Sequence, residues 1–187
     1  MKHVKVPQDR IGVLIGEGGE TMREIERQAE VRLDIDSESG SVAIDAVGDP
    51  VSGMLAPDIV RAIGRGFTPE SALSLLDDEL RTFELVDLAS HTRNKNDLRR
   101  QKGRLIGEDG RTRELMEELT GAEVVIKGST LGVIGQPEEV NAVRRAVGMI
   151  LDGAPHGAVY SFLERRHNEM RSNDIEYHEF ADESRSV

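Results

Sequence analysis

The chain has no cysteine, no tryptophan, and only two tyrosines and four phenylalanines. The first absence excludes disulfides and thiolate metal sites. The shortage of rings argues against the stacking platforms of recognition-motif and OB-type proteins, because none of Phe67, Phe83, Tyr160, Phe162, Tyr177 and Phe180 lies beside the glycine loops described below. No apolar run approaches the roughly 20 residues a membrane span needs. The first residues, MKHVKVPQDR, carry no apolar signal core, so a soluble cytoplasmic chain is expected. The histidines His3, His91, His156, His167 and His178 have no metal-ligand spacing, so neither a metal nor a cofactor is expected. Lysine is scarce as well. Of 24 basic residues only Lys2, Lys5, Lys95, Lys102 and Lys127 are lysine, against a net charge of −11. An acidic surface that keeps arginine and sheds lysine suits high salt, where the Debye length falls to about 3 Å at 1 M and self-repulsion weakens. That net charge, taken alone, argues against a nucleic-acid partner.

What is present changes that reading. Residues 10–19 read RIGVLIGEGG and residues 101–110 read QKGRLIGEDG. A shift of 91 positions places Gly12 on Gly103, Leu14 on Leu105, Ile15 on Ile106, Gly16 on Gly107, Gly19 on Gly110, Thr21 on Thr112 and Glu26 on Glu117. Such self-similarity marks two copies of one unit. In each copy the hydrophobic spacing predicts strand, helix, helix, strand, strand, helix. The first has a strand at His3–Val6, a helix at Gln8–Ile15, and alternating apolar residues on both sides of a turn at Ser37–Gly40. Asp49-Pro50 reads as a helix cap followed by a first helical residue, and Thr68-Pro69 opens another helix through Leu76. Pro57 is expected to break or kink the helix between them. In the second copy a strand near Phe83–Leu88 precedes a helix over Asn94–Lys102 that leads to Gly103; Gly128-Ser129 turns a hairpin and Pro137 opens the last helix. The expected fold is α+β, with each three-stranded sheet carrying helices on one face. The expected division is residues 1–80, residues 81–155, a helix over 156–171, and a disordered acid-rich tail over 172–187.

The chemistry lies in the loops Gly16-Glu17-Gly18-Gly19 and Gly107-Glu108-Asp109-Gly110, each between two helices. A glycine ends the first helix without a Cβ penalty. A corner without side chains lets backbone N–H groups approach a phosphate, and the next helix aims its positive end at the same place. A P-loop would need Gly-Lys before Ser or Thr, which neither loop has. A dinucleotide fingerprint would need a glycine where Thr21 stands, and a strand rather than a helix before it.

The two Ile-Gly-x-x-Gly corners, in this element order, resemble KH domains, in which the loop clamps about four nucleotides of a single strand. The strings LIGEGGETMREIE, RAIGRGFTPESAL, RLIGEDGRTRELMEELTG and DGAPHGAVYSFLERR together resemble the archaeal tandem-KH ribosome-assembly factors, relatives of the eukaryotic partner-of-Nob protein. That resemblance implies a factor bound to precursor small-subunit ribosomal RNA near its 3′ end. It also implies work alongside the endonuclease that matures that end, and a link to the alpha subunit of translation initiation factor two. KH loops usually carry a cation between the glycines; here Glu17, Glu108 and Asp109 stand there instead.

In the second copy, Arg93, Lys95, Arg99, Arg100, Lys102, Arg104, Arg111 and Arg113 surround the loop, opposed within that stretch only by Asp97, Glu108 and Asp109. A positive island coinciding with a phosphate loop points to RNA. The first copy offers Lys2, Lys5, Arg10 and Arg23 and is expected to bind more weakly or to serve for docking. The competing reading is a protein-interaction scaffold whose loops are weakened by their acids. Nothing in the sequence points to an enzyme.

Overall fold

The structure, a computed structural model, describes the backbone of residues 1–184 and side-chain surroundings through Ile175. The first unit runs β1 (Lys2–Lys5), α1 (Gln8–Ile15), α2 (Glu20–Gln28), β2 (Val31–Asp36), β3 (Ser41–Ala46), α3 (Pro50–Gly64) and α4 (Pro69–Leu73). The second runs β4 (Thr82–Asp87), α5 (Lys95–Ile106), α6 (Arg111–Thr120), β5 (Glu123–Lys127), β6 (Thr130–Gly135), α7 (Pro137–Leu151) and α8 (His156–Ser184). Each unit has an antiparallel sheet, ordered β1-β3-β2 and β4-β6-β5. The expected α+β repeat is therefore present, down to single contacts. Glu26 accepts the N–H of Leu33 at 2.8 Å, and its counterpart Glu117 accepts that of Val124 at 2.9 Å.

Helix starts follow local chemistry. Asp49 accepts the Ser52 N–H at 2.9 Å, Thr68 that of Ser71 at 3.1 Å, and Asn94 that of Asp97 at 3.0 Å. These side chains satisfy N–H groups that a helix cannot satisfy itself.

Three boundaries depart from expectation. Pro57 sits inside α3 without ending it; buried Ala56, Ile59, Val60 and Ile63 anchor the turns on either side and offset one lost hydrogen bond. Gly103 lies within α5, which continues to Gly107 because Leu105, fully buried, holds the extra turn to the core. The last helix does not stop at Arg171 but runs to Ser184, with no glycine or proline after Gly157 to end it. The expected tail thus overlaps α8, and residues 185–187 lie outside the described residues.

The two sheets differ in what covers them. In β3 burial alternates, with Val42 and Ile44 inward and the other face open. In β6 every residue from Leu131 to Gly135 is buried, the pattern of a strand covered on both faces. Leu131 and Val133 join the core with α5, α6 and α7, whereas Ile134 joins the core of the first unit. Helices on one face were expected; the opposite face of the second sheet is covered by the first unit. Phe67, at 2% exposure, meets Phe83 edge to face with ring centroids 5.9 Å apart. A Cβ added at Gly132 would come 2.7 Å from Phe67, and one at Gly66 would come 2.8 Å from Val125. Asp9 and Lys127 close the rim with an ion pair at 2.5 Å; this hydrogen-bonded ammonium is the main cause holding the Asp9 carboxyl below its usual value.

Candidate nucleic-acid interface

Both glycine corners are on the surface. Gly16 and Gly107 end α1 and α5 with φ near +75° and ψ 175°, a conformation reserved for glycine. Crowding enforces the choice a second time: a Cβ on Gly16 would lie 2.7 Å from the backbone N of Thr21, and one on Gly107 equally close to that of Thr112. At the outer glycines, Gly18, Gly19 and Gly110, an added Cβ would meet nothing within 4 Å. Each corner is therefore packed on its inner side and open on its outer side. Glu17, Glu108 and Asp109 are exposed at the tips.

The helices after these corners begin at Gly19 and Gly110 with no side-chain cap, although Asp, Thr and Asn cap α3, α4 and α5. The N–H groups of Gly19 and Gly110 turn back to the Gly16 and Gly107 carbonyls, and those of Glu20 and Arg111 to Glu17 and Glu108; the positive dipole ends of both helices still favour an anion at the corner.

The copies diverge along the helix before the corner. On α5, Lys95, Leu98, Arg99, Lys102, Gly103 and Ile106 line an open groove running up to the loop. Their spacing puts them on one helical face. Leu98, Gly103 and Ile106 form an apolar floor, and the cations form its edge. The positions of Arg99 and Lys102 correspond in α1 to Gln8 and Ile11, and Ile11 is buried at 5% exposure. Helix α1 is also shorter, with 8 residues against 12. The first corner therefore has no cationic groove beside it.

The basic island divides into used and unused charge. Arg113 pairs with Glu117 at 2.8 Å, Arg111 lies 3.9 and 3.7 Å from Glu114 and Glu118, and Arg100 pairs with Asp97 at 2.7 Å. Those glutamates lie just past Arg113, within reach of the arginines at helical i, i+3 and i, i+4 spacing or one further turn along. Arg104 donates to the Ile150 and Ala154 carbonyls, closing the end of α7. Arg10 does the same in the first unit, donating to Ile63 and Phe67 carbonyls at 2.7 Å. Neither guanidinium points at a strand, contrary to the expectation for both, because orphan carbonyls at a helix end attract them first. Arg23 folds onto the carbonyls of Gly18 and Gly19 at 2.9 and 3.2 Å. Among the described residues, Arg93, Lys95, Arg99 and Lys102 form no ion pair, and the last three line the groove. Asp97 is held below its ordinary pKa first by the Arg93 N–H and then by the Arg100 side chain.

Sequence reading counts Lys95 as a cation but misses Leu98, Gly103 and Ile106 as the floor; their i, i+3, i+4 spacing along α5 was the available signal. It also misses Thr112 and Tyr160, whose hydroxyls meet at 2.8 Å beneath the second corner.

Comparison with known proteins agrees with this geometry. Residues 82–168 match the model of a eukaryotic-type KH domain (KH-domain type I), and residues 1–52 match the KH domain model. The crystal structure of Dim2p from Pyrococcus horikoshii superposes with a TM-score of 0.82 at 43% identity, over 88% of this chain and 98% of that one. The chain belongs to the Dim2/Pno1 family of tandem KH proteins. A KH domain-containing protein of Methanocaldococcus jannaschii is 44% identical over 90% of this chain and 74% of its own length. The pre-rRNA-processing protein pno1 of Emericella nidulans is 35% identical over 58% of this chain and 43% of the fungal protein. Dim2p has also been crystallised from Pyrococcus horikoshii in a complex with a/eIF2alpha and rRNA, to which this chain is similar with a TM-score of 0.84 at 42% identity, over 90% of this chain and 94% of that one.

Proposed function

We propose that this chain is a non-enzymatic, single-stranded RNA-binding factor of small ribosomal subunit assembly, acting on precursor ribosomal RNA near its 3′ end. The observation that carries the reading is the second corner: an uncapped helix start, open on its outer side, joined to a groove with an apolar floor and unpaired cations. The loop backbone at Glu108 and Asp109 and the positive start of α6 take a phosphate, Arg99, Lys102 and Lys95 take its neighbours, and Leu98, Gly103 and Ile106 receive the unstacked bases. Family membership supports the ribosomal target, and so does the rRNA in the related Dim2p complex. The a/eIF2alpha in the same related complex supports the alpha subunit of initiation factor two as a partner; the 3′-end endonuclease is a further partner of this reading.

The first KH unit, residues 1–80, serves as a docking platform, since α1 carries no cation at the places of Arg99 and Lys102, and Arg10 and Arg23 are turned onto carbonyls. Residues 81–155 form the RNA-binding unit, and 156–171 the helix that follows. The excess of acid over lysine suits a salty cytoplasm, where the acids at the loop tip cost less than the roughly 1 kcal/mol expected at low salt.

Binding of a labelled oligonucleotide of the small-subunit 3′ region tests this. Arg99→Glu with Lys102→Glu is expected to lower affinity by about tenfold or more at moderate salt and to flatten its salt dependence. Arg23→Glu, on the first corner, is expected to change affinity by less than about threefold on the same scale. Unchanged affinity in the folded double variant would overturn the RNA reading and favour the interaction scaffold, to which the exposed Glu108 and Asp109 are suited.

A further inference from the structure

The second corner differs from the first in what lies behind it. Thr21 and Thr112 occupy the same place, each with its hydroxyl where a Cβ on the preceding glycine would stand, 2.3 Å from that position. Thr112 is fully buried, and its hydroxyl meets the Tyr160 hydroxyl at 2.8 Å. Tyr160 comes from the second turn of α8; in the first unit α4 follows α3 in the same way and also packs on α2, but Leu73 stands at the place of Tyr160 and offers no hydroxyl. One turn earlier, His156 lies against Tyr160 with ring centroids 6.0 Å apart, and its Nε2 bonds the Arg104 carbonyl at 2.9 Å. Arg104 belongs to the last turn of α5, and Thr112 to the first turn of α6. The first two turns of α8 therefore grip the chain on both sides of Gly107–Gly110. Farther along, buried Val159, Phe162 and Leu163 lock the helix into the second core.

We propose that α8 braces the RNA-gripping corner from behind, and that Tyr160 is a positioning residue for RNA binding. The inference rests on the RNA reading above. The physical argument is preorganisation. Three positive-φ conformations within four residues, at Gly107, Asp109 and Gly110, leave the corner with many alternative states. A strand captured by backbone N–H groups must otherwise order them on binding. Fixing Thr112 fixes the underside of Gly107 and the first turn of α6, and so both ends of the loop that meets the strand. The tyrosine hydroxyl touches no strand and changes no charge, so its effect reaches RNA only through loop order. The first corner, with Leu73 in place of Tyr160 and so no hydroxyl to meet Thr21, also lacks the cationic groove. The two differences separate the units in the same direction.

Tyr160→Phe removes one oxygen and leaves the ring in place. Single-stranded 3′ RNA is expected to bind about three- to tenfold more weakly, the range of one hydrogen bond. Thr112→Val should do the same, Thr112→Ser should restore most of the affinity, and Tyr160→Phe with Thr112→Val should lose no more than either alone, because the two groups act as one. Amide hydrogen exchange in the free protein supplies a readout independent of RNA. Exchange at residues 107–112 is expected to quicken in Tyr160→Phe, while residues 16–21 stay unchanged. A Tyr160→Phe protein that melts earlier yet exchanges normally at 107–112 and binds RNA as wild type would make the contact structural only and sink the brace. Additive losses in the double variant would sink it too. Arg99→Glu with Lys102→Glu, run alongside, separates the two claims: if that variant binds normally the RNA reading fails, whereas if it is weakened and Tyr160→Phe is not, only the brace fails.

Discussion

At the scale of single residues, the corner works because two glycines in each copy do different jobs. Gly107 faces inward against Thr112, and Gly110 faces outward into open space. Substitution should therefore act unequally. Gly107→Ala meets both a glycine-only backbone and a backbone nitrogen 2.7 Å away; a loss of about 1–3 kcal/mol in stability is expected, with RNA binding lost as well. Gly110→Ala meets only the left-handed backbone penalty, about 1 kcal/mol. Urea denaturation of the two variants checks the order, and equal losses would contradict this division of labour. The same scale explains why an arginine tally misleads. Arg10 and Arg104 look like strand-binding cations in the sequence, yet each closes the end of a helix. No sequence pattern announces which carbonyls will lack partners.

At the scale of elements, α5 is where the two copies separate. Its additional turn brings Lys95 and Leu98 into line with Arg99, Lys102 and Ile106. That turn is started by Asn94, and Asp97 holds the preceding Arg93 N–H at 3.0 Å. This bond is the largest cause of the lowered Asp97 pKa, with Arg100 second. A carboxyl whose pKa is lower in the folded state adds stability above its unfolded value, about 4, and loses it as pH falls toward the folded value. Asp97→Asn is thus expected to melt below wild type at neutral pH, with the difference shrinking as pH falls below the unfolded carboxyl value of about 4. Thermal melts across this range measure it, and a gap that persists in acid would mean that Asp97 acts through something other than its charge. Gly103 in the same helix costs about 1 kcal/mol relative to alanine. Its missing side chain leaves the groove floor open, which gives the cost a use.

At the scale of the whole molecule, the two units form a fused body rather than beads on a linker. Phe67 leaves the end of α3 and covers the second sheet between Phe83 and Gly132. Phe67→Ala should cost about 3–5 kcal/mol, the range for a buried aromatic, and should split one melting transition into two. A calorimetric trace that remains single with an unchanged midpoint would rule this out. The docking also explains why β6 reads as an unbroken apolar run while β3 alternates. The continuous run was visible in the sequence, but the surface covering its far side was not.

The sequence by itself determined the repeat, the α+β order within each copy, the helix cap at Asp49, the helix start at Thr68-Pro69, and both glycine corners. All of these depend on neighbours within a few positions, where backbone sterics and periodicity decide the outcome. Only the tertiary structure decided which cations remain available, that the first unit covers the second sheet, and that a tyrosine 48 residues beyond Thr112 stands under the corner. Those outcomes depend on which distant groups compete for the same hydrogen bonds and the same buried area, and a competition of that kind is settled only when the chain has closed on itself.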